Sequence, residues 1–598
     1  MTSDRQGPVF ALLDDCDSTA ASRSSRLYSD FVRERSCVDG ATLDEVCAAV
    51  EDDLRGGLHA VLLAGYEFGR NLQLAQKAQR GEAALRFLLF RECTLLSETE
   101  VADWLAAQDN GAGEPSIAGV AGIEESVTRA AFDQAIARVH EALEAGDSYQ
   151  VNYTYRLGFD LVGSPVALYR RLRARQPVRY GALIALPDGR QVLSCSPEMF
   201  IEKRGDVLRA RPMKGTAPIE TDPEWLSHDP KNRAENVMIV DLLRNDMSRV
   251  AVTGTVHTPR LFTVEPYKSL WQMTSTVEAQ PRRDASFADI IRALFPCGSI
   301  TGAPKHKTME LIDAIETTPR GLYTGAIGWL DRRGDFCLSV AIRTLELDRG
   351  RGTMGVGGGI VLDSVAAGEY EECQLKARFL TGADPGFELF ETTFATRDAG
   401  VRHWDRHLAR LSASAAWFGF LLDETELKRR VDTQCEEFEP ETGYRLRIAL
   451  NKAGKITITS ALIKPLVDGD TVNVLLASEQ GFLAREASDP MLRHKTTDRE
   501  DYDRAWHEAE TQGAFDMIFC NDRGEVTEGG RSNVFAKLDG HWFTPPLDAG
   551  VLQGVMRAVL IEEKAAAERV LTVDDLRQAE ELMVCNALRG ALRASLKR

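Results

Sequence analysis

The sequence predicts an α+β fold in two successive domains, residues 1–383 and 384–598. Three observations carry this reading. Strand-like apolar runs and helix-periodic stretches are interleaved in both halves without a regular strand–helix–strand alternation, which argues against a doubly wound sheet. The segment Thr381-Gly-Ala-Asp-Pro-Gly386 gathers turn formers between a long helical pattern and a new strand pattern, as a seam between domains would. A chain of 598 residues also exceeds what one hydrophobic core organises.

In chain order, the first 120 residues are weakly patterned and are assigned to the first core. Phe132–Ala145 is apolar at helical spacing, and Ala234–Leu243 and Glu369–Leu380 read as further helices. Val192-Leu-Ser-Cys-Ser196 and Phe336-Cys-Leu-Ser-Val-Ala-Ile342 read as strands, as do Tyr444–Leu450 and Ile456–Ser460 in the second half.

Composition narrows the class. With 44% hydrophobic and 27% charged residues the chain is that of an ordinary globular protein. No apolar run is long enough to span a bilayer and Met1-Thr-Ser-Asp-Arg5 lacks a signal core, so no membrane partner and a cytoplasmic location are expected. Eleven cysteines occur singly, without Cys-x-x-Cys pairs, which favours reduced thiols over a disulfide framework or a zinc site. Lys+Arg at 72 against Asp+Glu at 90 gives 72 − 90 = −18, so nucleic acid is not an expected partner, although a local basic pocket for a small anion stays open.

Three features of the first half carry chemistry. Glu369, Glu372 and Lys376 fall at i, i+3 and i+7, on one helix face, and Glu235 opens a second helix. Carboxylates from separate helices suit Mg²⁺, which takes one or two of them and completes its shell with water and ligand oxygens. From spacing alone, a solvated charged face is the commoner origin of this pattern. Gly298-Ser-Ile-Thr-Gly-Ala-Pro-Lys305 and Gly355-Val-Gly-Gly-Gly359 let main chain approach a ligand and present successive amides to an anion. Tyr323, Arg343 and Lys376 are candidate anion partners. Lys214, in Arg211-Pro-Met-Lys-Gly-Thr216, is by itself either a nucleophile or a surface cation.

Cys195-Ser-Pro-Glu198, Lys214-Gly-Thr, Ala234-Glu-Asn with Val240-Asp-Leu-Leu-Arg-Asn-Asp246, the Gly298–Lys305 run, Arg320-Gly-Leu-Tyr-Thr-Gly-Ala-Ile-Gly328 and Glu369-Tyr-Glu-Glu372 occur in one order over roughly residues 120–380. In that order they resemble the chorismate-utilising enzymes, which include anthranilate, isochorismate and aminodeoxychorismate synthases. The resemblance implies a two-sheet α/β sandwich, Mg²⁺, and chorismate as substrate. It makes Glu235 and Glu372 the metal ligands with Glu369 close by, Glu198 the general acid/base, and Thr301, Tyr323, Arg343, the Gly357, Gly358 and Gly359 amides and Lys376 the holders of the substrate carboxylates. Lysine at position 214, where anthranilate synthases usually carry alanine, implies attack on chorismate and amination at C4. Asn232 stands where the family often has an acid, and Gln272 where it has a histidine, so no role is carried to Gln272.

The second half carries Leu389-Phe-Glu-Thr-Thr393, His407-Leu-Ala-Arg-Leu411, Tyr444-Arg-Leu-Arg447, His494-Lys495-Thr-Thr, Glu528-Gly-Gly-Arg-Ser-Asn-Val-Phe535 and Gly550-Val-Leu-Gln-Gly-Val-Met-Arg557. Over roughly 387–590 these are similar to the fold-type IV pyridoxal-phosphate (PLP) enzymes, which have two subdomains and include branched-chain and D-amino-acid aminotransferases and aminodeoxychorismate lyase. The resemblance makes Lys495 the Schiff-base lysine, Glu528 the partner of the pyridinium nitrogen, and Arg410 with the amides of Gly554 and Val555 the phosphate cup. Met556 departs from the threonine usual in the phosphate segment. The two resemblances together imply one pathway, in which chorismate and ammonia give 4-amino-4-deoxychorismate and the second domain expels pyruvate to leave 4-aminobenzoate; the alternative is an aminodeoxychorismate synthase fused to an aminotransferase-like or a non-catalytic docking domain. No Gly-x-Cys-x-Gly elbow is present, so glutamine use implies a separate amidotransferase subunit. Homodimer formation through the second domain is left open.

Overall fold

The computed structural model describes residues 7–74, 84–267, 270–463 and 471–597; the Met1–Arg5 segment lies outside them. Contacts divide the chain into two compact units, Met1–Ala383 and Asp384–Arg598.

The first unit is built on strands β1 (Ala118–Glu125), β2 (Gln150–Gly163), β3 (Gln191–Ser196), β4 (Met199–Arg204), β5 (Met213–Pro218), β6 (Leu270–Ala279), β7 (Gly302–Ala303), β8 (Thr344–Asp348) and β9 (Arg351–Ile360), with helices α1 (Pro230–Ser248) and α2 (Ala366–Thr381). Hydrogen bonding links its described strands, these and nine others, into one eighteen-stranded ladder, so the sheets expected of the fold are continuous through shared strands. β2 is the spine. It pairs antiparallel with β9 along ten residues, and with β1 and β7 as well. Because it is covered on both faces, its Val, Tyr, Thr and Phe side chains are buried almost continuously and do not alternate with polar ones.

Strands from the first 120 residues belong to the same ladder. Phe10–Asp14 pairs with Tyr180–Ala185, and His59–Ala64 with Ala326–Leu330. Successive residues of His59–Ala64 alternate between two cores: Leu62 and Ala64 join a large cluster with Phe132, Tyr155 and Phe159, while Val61 and Leu63 join Tyr28, Ile184 and Trp329 on the opposite side. Each such fully buried aromatic or aliphatic side chain contributes roughly 1.5–3 kcal/mol.

Helix boundaries show what periodicity misses. The stretch expected from Phe132 begins at Arg129, where the Thr128 side chain caps it. α1 begins at Pro230, a turn before the expected Ala234, because Asp229 accepts from the Asn232 amide at 2.8 Å and Pro230 fills the first helical position. Glu235 therefore lies in the second turn of α1 and does not open it. α2 is tied to β1 through Glu125, which accepts from Tyr370 at 2.8 Å and from Gln374.

The second unit contains two sheets, in keeping with two subdomains. One is four-stranded and includes β10 (Leu389–Thr396), β11 (Tyr444–Leu450) and β12 (Ile456–Leu462). The other is eight-stranded and includes β13 (Asp516–Cys520), β14 (Val526–Gly529) and β15 (Asn533–Leu538). The helices that matter to its cavity are α3 (Trp404–Phe418), α4 (Glu500–Thr511) and α5 (Val555–Lys564). Among the described residues, no helix of either unit is long and apolar enough to cross a membrane.

Candidate active sites

Lys214 sits on a β-bulge. In the β5–β6 pairing Met213 opposes Thr274 and Thr216 opposes Gln272, so Lys214 and Gly215 together face the single residue Met273. A bulge re-aims side chains out of the ladder, and Gly215 supplies the positive φ of 90° it requires. The Lys214 amine lies 3.8 Å from Glu235 Oε2, both side chains being about four-fifths buried. Asn232 packs against Gly215, where an added Cβ would stand 3.0 Å from its side chain.

Across from this bulge runs the glycine strand. Among the described residues, β9 beyond Met354 is paired only with β2, leaving the main chain of its other edge without a strand partner. A Cβ on Gly358 would lie 3.2 Å from Glu369 Oε2 and 3.8 Å from the Lys376 amine; one on Gly359 would lie 3.4 Å from the Lys214 amine and overlap the Gln150 amide. Consecutive strand positions look to opposite sides, so β9 is flanked by Glu369 and Lys376 on one side and by Gln150 and Lys214 on the other. Glycine at 355 serves a different purpose, because the Tyr323 ring occupies the space its side chain would take.

Electrostatics differ among the acids. Burial pushes the Glu198 carboxyl up to about 7, against the Ser299 hydroxyl that donates to it at 2.7 Å and the nearby Lys214. Burial would also raise Glu372, but Lys376 at 2.8 Å, together with Lys214 and Lys231, holds it below its ordinary value. Lys376, expected to hold a substrate carboxylate, is thus engaged with Glu372 and with the Gly357 carbonyl at 2.8 Å. Glu369 accepts from Ser364 at 2.6 Å.

The expected ligand-holding residues are rigidly mounted. The Thr301 hydroxyl is buried and donates to the carbonyl of Cys297 at 3.1 Å. Arg343 (φ 50°) and Thr324 (φ 62°), the neighbour of Tyr323, hold left-handed conformations that cost roughly 1–3 kcal/mol each. The Arg343 guanidinium is depressed by burial, and its side chain has no ion pair among the described residues. Beneath them Arg320 donates to Asn152 O at 2.7 Å, to Ile300 O at 2.9 Å and to Glu316 at 2.7 Å, joining β2 to the segments that carry Thr301 and Tyr323. Gln272, on β6, lies in register with Thr216 on one side and Glu265 on the other.

For a metal, the oxygen-only set Glu235, Glu369 and Glu372 is chemically suited to Mg²⁺. The three do not close into one ligand sphere, since among the described residues only Asp15, Cys16 and Asp17 bring three such atoms within 4.8 Å. One or two carboxylates with water and ligand oxygens is the usual Mg²⁺ arrangement, and the residues present fit that.

The second unit holds a cavity of about 520 Å³ lined by Lys495, Glu528, Arg410, Gly554, Val555 and Met556, among others. Lys495 is fixed by its carbonyl, which accepts from Phe390 N at 3.0 Å, and its amine lies 4.6 Å from the Phe390 ring centroid. Burial, helped by Arg499 and Arg410, lowers that amine to about 7. Burial raises Glu528 to about 7, and Asn533 donates to it at 3.0 Å. Gly554 caps α5 and packs so closely on Asn533 that a Cβ would overlap its side chain, and Gly554 and Val555 at this helix N-terminus line the cavity. Arg410 reaches Gln553 O at 3.0 Å but spends two donors on Glu391, at 2.9 and 2.5 Å. Burial opposes ionisation of Glu391, yet Arg410 and His407, the latter at 2.6 Å, hold its carboxyl down to about 2. Met556 packs into an apolar cluster with Phe535, Val559 and Leu560. An enclosed amine, a buried acid, a helix N-terminus and an arginine around one cavity fit PLP.

Several residues at these sites have no role in the motif reading. Among the described residues the Gln150 amide is buried without a hydrogen-bond partner, and the Tyr502 hydroxyl is buried beside Arg485. Ser299, Glu391 and His407 lie inside quoted motifs, where proximity to a functional residue was the available signal. Gln150 and Tyr502 offered none.

Residues 6–382 match the family model for chorismate binding enzymes, and residues 388–596 that for amino-transferase class IV. Aminodeoxychorismate synthase component 1 of Klebsiella aerogenes is 42% identical over 254 residues, 41% of this chain and 56% of its own length. Anthranilate synthase component 1 of Streptomyces coelicolor is 37% identical over 279 residues, 46% of this chain and 55% of its own. The chain thus spans about half the length of these curated relatives. A solved structure from Bacillus anthracis, assigned as a 2,3-dihydroxybenzoate-specific isochorismate synthase, shares the fold with a TM-score of 0.51 at 16% identity, over 64% of this chain and 97% of that one.

Proposed function

Since the chain belongs to the chorismate-binding enzyme family and carries a class IV aminotransferase domain behind it, we propose that it makes 4-aminobenzoate in two steps, aminating chorismate at C4 in the first unit and eliminating pyruvate in the second. The observation that carries this is Lys214, raised on a bulge beside Glu235 and Gly359, where an anthranilate-type reaction has no use for an amine.

In the first unit the Lys214 amine adds at C2 of chorismate as the ring double bonds shift and the C4–O bond breaks. Glu198, titrating near neutrality, gives the departing hydroxyl its proton. Ammonia then adds at C4 while the C2–N bond to Lys214 breaks, and Glu198 takes up a proton from the new ammonium. Arg343, Thr301 and the unpaired edge of β9 hold the substrate carboxylates. Glu235, Glu369 and Glu372 would hold Mg²⁺, which supplies charge stabilisation at carboxylate and hydroxyl oxygens.

In the second unit Lys495, Glu528, Arg410 and the Gly554–Val555 amides would hold PLP, which supplies an electron sink at the amine-bearing carbon. The Lys495 amine takes the C4 proton of 4-amino-4-deoxychorismate as the C3–O bond breaks. Enolpyruvate leaves and becomes pyruvate, and the ring becomes aromatic. Glu528, which burial raises to about 7, would pair with the ring nitrogen of the bound PLP. Ammonia comes from solution or from a separate glutamine amidotransferase subunit.

The test is product analysis of the purified chain supplied with chorismate, Mg²⁺, PLP and an ammonium salt. Equal amounts of 4-aminobenzoate and pyruvate are expected; 2-aminobenzoate would overturn the amination reading, and accumulated aminodeoxychorismate the lyase reading.

A further inference from the structure

We propose that Ser299 is a positioning residue of the first site, its hydroxyl fixing which oxygen of Glu198 is offered to the substrate and holding that carboxyl in both of its protonation states. This rests on the amination reading above and deepens it by naming the group that governs its proton carrier.

The main chain of Glu198 is already fixed. It stands in the short step between β3 and β4, where its amide donates to Ser196 Oγ at 3.3 Å and its carbonyl accepts from Val340 N at 3.1 Å. What stays free is rotation of the carboxyl, a broad torsion with little preference of its own. Ser299 Oγ lies 2.7 Å from Oε1, and among the described residues Oε2 accepts no hydrogen bond. One oxygen is tethered and the other is left for the reacting hydroxyl and ammonium. A hydroxyl suits this place, because it donates to a carboxylate and can turn to accept from the acid, whereas an ammonium could do only the first. Behind it the Cys297 thiol lies 3.2 Å from Ser299 Oγ and is the other partner of that hydroxyl. Both side chains are buried, so the contact is not shared with bulk water.

The turn that carries Ser299 is held from three sides. Thr301 Oγ1 donates back to Cys297 O at 3.1 Å, Arg320 donates to Ile300 O at 2.9 Å, and Gly298 lies so close to α1 that a Cβ would stand 2.5 Å from Leu242 Cδ2. Ser299 and Thr301 are therefore parts of one rigid turn, which joins the tether of Glu198 to a residue expected to hold the substrate. Burial drives the Glu198 carboxyl up, and the Ser299 bond, ahead of Lys214, is the main influence opposing it. The titratable groups facing Glu198 are Lys214 of β5 and the Cys297 thiol, which burial and Glu198 push up to about 12 and so keep protonated.

The test titrates Glu198 in the full chain by infrared difference spectroscopy, its protonated carbonyl band being identified as the one absent from E198Q. S299A removes a hydrogen bond to a charged group and should move the midpoint up from about 7 by about one pH unit. S299T keeps the hydroxyl and should stay within about 0.3 of the native midpoint. At a fixed concentration of free ammonia, kcat for amination should fall about tenfold in S299A with KM for chorismate within about twofold, because Ser299 does not hold the substrate. A merely structural role predicts the opposite sign, since a loosened site admits water and brings the midpoint down towards 4.5. A lowered or unmoved midpoint in S299A overturns the proposal. So does a shift in C297A as large as that in S299A, because C297A disturbs the same turn and spares the hydroxyl. Should S299A fail to fold, S299C decides: its thiol is a weak donor, so the midpoint should rise, and an unmoved one counts against the proposal. The infrared titration needs no turnover, so failure of the amination reading shows separately, as 2-aminobenzoate made by the native protein.

Discussion

Replacing Glu198 by glutamine should stabilise the first unit while disabling it. The folded carboxyl titrates at about 7 against an ordinary 4.5, chiefly because it is buried, and the difference is 7 − 4.5 = 2.5. At about 1.4 kcal/mol per pH unit this is about 3.5 kcal/mol. The folded state binds the Glu198 proton more tightly than the unfolded chain does. Stability is therefore fully present below pH 4.5 and is lost as pH rises towards 7, after which the penalty is constant. Glutamine carries no such penalty and keeps an oxygen for the Ser299 hydroxyl. Urea unfolding at pH 5 and pH 8, read by hydrogen exchange in peptides covering residues 191–204, should show E198Q gaining about 2.5 kcal/mol on the native protein between the two pH values, the remainder of the difference lying below pH 5. Amination should fall by about 10²–10⁴-fold, the usual worth of a positioned proton donor. Parallel pH curves for the two proteins would refute the reasoning, since the carboxyl would then titrate alike folded and unfolded.

Other outcomes follow from the same geometry. K214A should stop amination while supplied aminodeoxychorismate is still converted to 4-aminobenzoate, and K495A should do the reverse and abolish the visible PLP absorbance; chromatography and spectra check both. G359A places a methyl group on the Gln150 amide and 3.4 Å from the Lys214 amine, so kcat/KM for chorismate should fall on the order of 10²-fold with little change in the urea midpoint. E391Q strips the charge from between His407 and Arg410, and a buried ion pair broken on one side costs roughly 3 kcal/mol. The second unit should unfold earlier in urea and hold PLP less tightly, whereas E391A/R410A should recover part of the urea loss and none of the PLP affinity.

Fold class was readable because helix-periodic stretches such as Phe132–Ala145 and strand-like apolar runs such as Phe336–Ile342 interleave without regular alternation, whereas the long buried strand Gln150–Gly163 was not picked out. The start of α1 was not, because the cap at Asp229 lies a full turn before its first apolar residue. Motifs placed Lys214, Glu235, Glu372 and the β9 glycines in a common list, but one-dimensional order does not contain the slip between β5 and β6 that lifts Lys214 towards them. Nor does it contain pairing: Lys376 is named by its motif as an anion holder, and three dimensions give it Glu372 as a partner. Gln150 was invisible because an amide in a strand carries no charge, spacing or periodicity to mark it.

The glycine strand also sets how the first site can vary. At positions 355, 357 and 359 any side chain would intrude on Tyr323, on Tyr153 and Thr154, or on Gln150. This stretch of wall therefore has almost no mutational latitude, and whatever it recognises through its main chain is immune to gradual adjustment. Changes in outcome have to enter through the residues that face it. Position 214, carried on a bulge that already departs from regular pairing, is the one whose side chain can be exchanged without disturbing the sheet.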